Sequence, residues 1–217
     1  MVNSPPILET ILTDYWVNVT WEDFLTFADD PMLVNGKFYY DEGCMMIEIS
    51  PLGSAHGQIH ASVANFVILY ATVKNIPIKG LINTSFRKIG IRGCQPDIAF
   101  YIGNNLHLPP RNNAPVNLDK VDPPTLVIEI SGASFDDDTT RKQKLYQRLG
   151  VAEYWVADVN NNRIIANSLD TNKAIPIQES QVLPGLKIEL IDKVLQKSQT
   201  EDDGKISRWL LSNFGQN

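Results

Sequence analysis

Leu126-Val127-Ile128-Glu129-Ile130 is a run of apolar residues with one carboxylate in its interior. Such a run reads as a β-strand buried on both faces, and Glu129 is its exception. An ionised carboxylate among apolar neighbours is costly unless it is paired or bound to metal. Asp97, which follows Pro96 and opens a second extended segment, Ile98-Ala99-Phe100-Tyr101, is the natural partner. Two acids projecting from adjacent strands supply the hard oxygen ligands suited to Mg²⁺. From spacing alone, an ion pair between Glu129 and an arginine is an equal alternative.

Downstream, Asp136, Asp137 and Asp138 stand where a helix start favours negative charge, and the spacing predicts a helix to Leu149 ended by Gly150. Tyr154-Trp155-Val156-Ala157-Asp158 and Arg163-Ile164-Ile165-Ala166 then form a predicted hairpin around Asn160-Asn161. A strand near Lys187 to Ile191 and a helix from about Ile206 to Asn213 complete the pattern. Upstream, Thr20 with an acid three residues later resembles a capping box. Phe38-Tyr39-Tyr40 and Met45-Met46-Ile47-Glu48-Ile49 read as a hairpin around Gly43, and Ser50-Pro51-Leu52-Gly53 breaks its second strand. From Ser54, a predicted N-cap, Ile59, Val63, Phe66, Val67 and Tyr70 recur at helical spacing. Ile76 to Ile82 and Ser85 to Ile91 read as extended, and Gly103 to Pro124 as a long surface loop. This order predicts an α/β protein, a mixed sheet flanked by helices, with an N-terminal hairpin and helix added.

The 217 residues are 43% hydrophobic and 20% charged, an ordinary globular composition read as one domain spanning 1–217. Its core covers about 38–170, and a polar linker and terminal helix cover about 196–217. Cys44 and Cys94 lack any CxxC or Cys/His ligand spacing, which points to free thiols. The first residues lack the basic start and apolar run of a signal peptide, and no stretch reaches the ~20 apolar residues of a membrane span, so a cytoplasmic location is expected. The net charge of −6 argues against avid coating of nucleic acid but leaves room for a local basic cleft. Phosphate-loop, dinucleotide and GxSxG motifs are absent. His56 and His60 have the one-turn spacing of zinc-binding histidines, yet Gly57 replaces the glutamate of HExxH, which argues against a zinc peptidase. Tyr154 and Trp155 read as core, not as a base-stacking platform.

Pro96-Asp97, Glu129-Ile130-Ser131, Lys142 with Tyr146, and Gly150-Val151-Ala152-Glu153-Tyr154-Trp155-Val156-Ala157-Asp158 together resemble the Uma-type restriction endonuclease family of the PD-(D/E)XK nuclease superfamily. Ile49-Ser50-Pro51 followed by His56 is similar to that family's entry into its first core helix. The resemblance covers roughly Phe38 to Asp158, and the Gly-Val-x-Glu-Tyr-Trp-x-x-Asp stretch is its specific part. It implies a restriction-endonuclease-like core, Mg²⁺ or Mn²⁺ held by Asp97 and Glu129, and hydrolysis of DNA phosphodiester bonds. The superfamily lysine two residues past the glutamate is replaced here by Ser131, and the pattern offers Lys142 in its stead. Without the resemblance, Lys142 belongs to a solvated face with Arg141, Lys144 and Arg148. Glu48 and His56 are supporting candidates for the metal shell or for positioning water. Arg87, Lys88, Arg141 and Lys144 are candidate phosphate contacts. The rival to an enzyme is a non-catalytic binding or assembly module, its acids neutralised by basic side chains. A nuclease cutting both strands would be expected to act as a homodimer.

Overall fold

A computed structural model describes residues 13–49 and 53–214. The proline-rich start and the strand-breaking Ser50 to Leu52 lie outside the described residues. Strand β1 (Val17–Asn18) leads into helix α1 (Trp21–Ala28), whose N-cap Thr20 exchanges hydrogen bonds with Asp23 in the predicted capping box. The hairpin β2 (Lys37–Asp41) and β3 (Cys44–Glu48) precedes the long helix α2 (Ser54–Val73). Gly53, not Ser54, is the N-cap of α2, so Ser54 is already its first helical residue.

Four strands follow: β4 (Ile78–Ile82), β5 (Phe86–Lys88), β6 (Arg92–Cys94) and β7 (Ile98–Ile102), of which β4 pairs with β7 and β5 with β6. The segment predicted as a loop contains one short strand, β8 (Val116–Asn117). Next come β9 (Leu126–Ser131), a helical turn α3 (Phe135–Asp137), a π-helical stretch over Asp138–Lys142, and α4 (Gln143–Leu149). Gly150 caps α4 in the left-handed conformation, with φ of 88°. The hairpin β10 (Glu153–Asp158) and β11 (Arg163–Leu169) is followed by β12 (Ala174–Pro176), α5 (Ile188–Lys197) and α6 (Asp203–Phe214). The strand predicted near Lys187 to Ile191 is therefore the start of a helix. Its apolar residues continue at helical spacing through Ile188, Ile191, Val194 and Leu195, all buried. The alternation seen in a five-residue window was too short to separate the two periods.

The strands divide between two six-stranded sheets, where one mixed sheet was expected. The first has the order β1-β3-β2-β6-β5-β8 and the second β12-β11-β10-β9-β7-β4. Strands β9 and β10 are parallel, joined by the α3–α4 crossover, whereas β7 pairs with β9 antiparallel. Helices α2, α5 and α6 cover one face of the second sheet over Ile98, Phe100, Ile128 and Trp155. Its other face meets the first sheet and α4 through Tyr39, Met46, Phe86, Val127, Tyr146 and Tyr154. Helix α1 packs Phe24 onto β2 and β3. Tyr154 and Trp155 are fully buried, as the sequence reading had them. Both cysteines are free; Cys94 is buried and Cys44 half-buried. None of the described helices is long and apolar enough to cross a membrane.

Gly93 on β6 lies against the Phe24 ring of α1, since a Cβ added there would meet that ring at 2.7 Å. Both ring and strand are buried, so relief must come from a backbone shift. Gly93→Ala is expected to cost about 1–3 kcal/mol by overpacking. A chemical denaturation series against the unchanged protein measures it.

Candidate metal centre

The register of β7 on β9 pairs Ile98 with Ile128 and Ala99 with Val127. Asp97 immediately precedes β7 and Glu129 follows Ile128 in β9, so both lie just past the end of that ladder. Side chains alternate across a strand, and Ile98, Ile128 and Ile130 belong to the α2 side while Ala99 and Val127 belong to the other. Hydrogen bonds bring the carboxylates of Asp97 and Glu129 together at this end of the ladder. Each is tied to the other's strand: the Asp97 N–H donates to Glu129 Oε2 at 3.1 Å, and the Ile130 N–H donates to Asp97 Oδ2 at 2.8 Å.

Glu129 is 1% exposed. Its Oε1 accepts from the Tyr146 hydroxyl at 2.5 Å and from the Tyr39 hydroxyl at 3.3 Å. Burial raises its pKa; the Lys142 ammonium opposes burial and the Asp97 charge adds to it, and the net direction is upward. Asp97 goes the other way. Burial alone would raise it, but His56, the Lys37 ammonium and the Ile130 N–H facing it hold its carboxyl well below the ordinary range. Lys37, from the start of β2, places Nζ 2.5 Å from Asp97 Oδ1. His56 Nε2 lies 3.6 Å from the same oxygen, close but beyond hydrogen-bond length.

His56 and His60 are one turn apart at the start of α2, so they share a helix face. A ligand atom from each of them and one from Asp97 lie within 4.8 Å of one another. This trio is the only such grouping of His, Cys, Asp and Glu among the described residues, and Glu129 is not in it. His60 Nε2 is buried without a hydrogen-bond partner. Such an atom carries a desolvation cost unless something coordinates it. Two imidazoles and a carboxylate, one nitrogen unsatisfied, fit a divalent cation.

Lys142 is 1% exposed. The solvated-face alternative therefore fails for this residue, though Arg141, Lys144 and Arg148 beside it are exposed. Its Nζ lies 2.8 Å from Glu48 Oε2 and 2.7 Å from Asp138 Oδ1, with the Tyr39 ring centroid 4.3 Å away. Burial would lower its pKa, but Glu129, Asp138 and Glu48 outweigh burial, so it stays protonated. The widened π turn over Asp138–Lys142 carries it, and such turns recur at functional sites. Ser131 is fully buried and its Oγ has no hydrogen-bond partner.

A cavity of about 380 Å³ opens beside the trio, lined by Lys37, Glu48, His56, Ile130, Gly132 and Ser134 among others. None of the four proposed phosphate contacts lines it. Arg87 is held by Asp29 through two hydrogen bonds, at 3.1 and 2.6 Å, and Arg141 lies 4.4 Å over the Trp16 ring. Lys88 is half-buried on β5 and Lys144 is exposed on α4. Sequence reasoning missed Lys37, which has no motif around it, and set His60 aside with the peptidase reading. The signal available for His60 was its helical spacing from His56.

The sequence pattern of Uma2, described as "Putative restriction endonuclease", matches residues 21–199. The chain belongs to the Uma2 family. This places it in a PD-(D/E)XK-like nuclease superfamily, in keeping with its restriction-endonuclease-like α/β architecture. Its fold is similar to a solved "putative nuclease belonging to DUF820" from Anabaena variabilis ATCC 29413. That structure matches with a TM-score of 0.54 at 17% identity, over 82% of this chain and 99% of the other. No curated protein matches the chain.

Proposed function

We propose that this Uma2 protein is a metal-dependent endonuclease that hydrolyses DNA phosphodiester bonds, with Asp97 and Glu129 as its central acids. The observation that supports it most is the convergence of Asp97 with His56 and His60 beside a cavity that His56 lines, in a nuclease-like fold. Local charge supports it too. Asp97 is held ionised by His56 and Lys37, whereas burial pushes Glu129 toward its protonated form, so Asp97 is the carboxylate that offers a cation full charge here.

In this reading Asp97, His56 and His60 hold Mn²⁺ or Mg²⁺, which would polarise a phosphoryl oxygen and lower the pKa of bound water. Glu129 fixes Asp97 by accepting its amide N–H. Lys142, sealed and protonated, holds Glu48 toward the cavity. The phosphate enters beside Lys37 and Ser134, and exposed groups such as Lys144 would contact flanking phosphates. The substrate and the free cysteines both suit the cytoplasm. Two copies about a twofold axis would present one site to each strand.

A second reading keeps one observation on its side. The Lys37 ammonium on Asp97 neutralises that acid without a metal, as a non-catalytic binding module would require. Plasmid nicking separates them. The purified protein is expected to convert supercoiled DNA to the open form with Mn²⁺ or Mg²⁺, and to stop when the ion is chelated. If neither ion supports nicking while DNA is still bound, the module reading replaces the enzyme.

A further inference from the structure

Lys37 and a metal ion have claims on the same atom. Its Nζ lies 2.5 Å from Asp97 Oδ1, the oxygen that His56 also faces, so the ammonium occupies the carboxylate corner of the His56–His60–Asp97 trio. Lys37 also lines the cavity, together with Glu48 and His56. It is thus the amine between the trio and open space, whereas Lys142 is sealed between Glu48 and Asp138.

We propose that Lys37 is the resident cation of a transition-metal site built by His56, His60 and Asp97, and that metal entry moves its ammonium off Asp97 into the cavity, onto the substrate phosphate. The inference rests on the nuclease reading for that last step only. Two cations cannot share one carboxylate oxygen inside a partly buried site without strong repulsion, because the low local dielectric leaves it unscreened. A lysine has the means to yield, since its charge rides on a flexible four-carbon stem, and the cavity gives the ammonium somewhere to go. Glu48, directly across the β2–β3 ladder from Lys37, offers it a carboxylate there. In the displaced position the amine supplies the positive charge that Ser131 cannot, Ser131 being buried where the superfamily carries its lysine.

The donor set also selects the ion. Imidazole nitrogen suits zinc and the later transition metals, Mn²⁺ tolerates nitrogen with oxygen, and Mg²⁺ prefers an all-oxygen shell. Two nitrogens against one carboxylate therefore favour Mn²⁺ over Mg²⁺. His60 Nε2 is buried with no hydrogen-bond partner, and in the tautomer that leaves it proton-free a cation would satisfy it.

The test is calorimetric titration of the full chain with Mn²⁺ and with Mg²⁺ in the absence of DNA, with nicking assayed separately. Mn²⁺ is expected to bind about tenfold or more tightly than Mg²⁺, and His60→Ala to weaken Mn²⁺ by at least about tenfold. Lys37→Met removes the competitor, so it is expected to tighten Mn²⁺ by about tenfold or more while lowering nicking about 10²-fold. Binding and turnover then move in opposite directions, which a merely structural lysine would not produce. Lys37→Arg keeps the charge and grips a carboxylate with two prongs, so it weakens Mn²⁺; it also serves if the methionine variant does not fold. Unchanged or weaker Mn²⁺ binding in Lys37→Met, or equal affinity in Lys37→Arg, overturns the exchange. An unaffected His60→Ala overturns the site. If Mn²⁺ binding follows these expectations but no variant nicks DNA, the metal site stands and the nuclease reading fails.

Discussion

Asp97→Asn is expected to lower nicking by about 10²–10³-fold, the scale seen when one group that stabilises transition-state charge is removed. The substitution preserves shape. The asparagine oxygen can still accept the Ile130 N–H now held at 2.8 Å, so the end of β7 stays joined to β9. What disappears is the ionised oxygen that faces His56 and Lys37. Asp97 is ionised at neutral pH because its neighbours hold its carboxyl far below the ordinary range. The same depression gives the substitution a signature in stability. Between the folded pKa and the unfolded value near ~3.9, the unfolded chain binds more protons than the folded one, so stability rises with pH there. Asp97 therefore contributes stability that is present above that unfolded value and is lost as pH falls below it. Thermal melts of the unchanged protein are expected to show an acid limb that Asp97→Asn largely lacks. Glu129→Gln, which acts through the Asp97 amide and not from within the ligand trio, is expected to cost less, about 10–100-fold. Equal nicking in the Asp97→Asn protein, with its melting temperature intact, would sink the metal-centred mechanism.

How far the site could be foreseen follows from the range of the interactions that make it. Glu129 announces itself because its strand neighbours are apolar, a local signal, and Asp97 follows a proline at a strand start. Their pairing follows from β7 lying against β9, which the element order implies. Gly150 could be read as a helix stop because the left-handed cap is a property of a single residue. Lys37 was invisible for the opposite reason. It lies 60 residues from Asp97 in sequence, on a strand whose buried Phe38 and Tyr40 advertise packing only, and its role comes from the first sheet meeting the second. The division into two sheets is hidden likewise, since the apolar runs of β2, β3, β7, β9 and β10 do not say which sheet receives them. His60 has the helical spacing to join His56, but nothing within α2 says that Asp97 will be the third partner. The resemblance to the Uma-type pattern did reach Lys142 and Tyr146, and both converge on Glu129 or its neighbours. Even so, spacing could not say whether the lysine faces solvent or core.

Lys142→Met is expected to destabilise the fold by about 3–5 kcal/mol, the cost of leaving buried charges without their partner. For a chain of this length that corresponds to a fall of roughly 6–20 °C in melting temperature. Methionine matches the aliphatic stem in volume, so packing against Tyr39 is largely kept and the loss isolates the charge. Glu48 and Asp138, at 2.8 and 2.7 Å from the ammonium, would face each other and Glu129 with no cation between them. Asp138 has little other recourse on that oxygen, because the Ser134 hydroxyl already serves Oδ2 at 2.6 Å. Adding Asp138→Asn to Lys142→Met should recover part of the loss, and a double-mutant cycle measures how much of it belongs to the pair. The pH dependence has a defined sign. The folded pKa of Lys142 is raised, so its contribution is complete below the unfolded value near ~10.4 and is lost only as pH climbs beyond it. The cost should shrink as pH falls, because Glu129 and Glu48 lose the ammonium that lowers their pKa and can take up protons in the folded variant. Lys144→Met, two residues on and exposed, is the matched control and should stay within about 0.5 kcal/mol. If Lys142→Met behaves like that control, the lysine is not a buried keystone between the carboxylates, and Lys142 instead joins the solvated face of its helix.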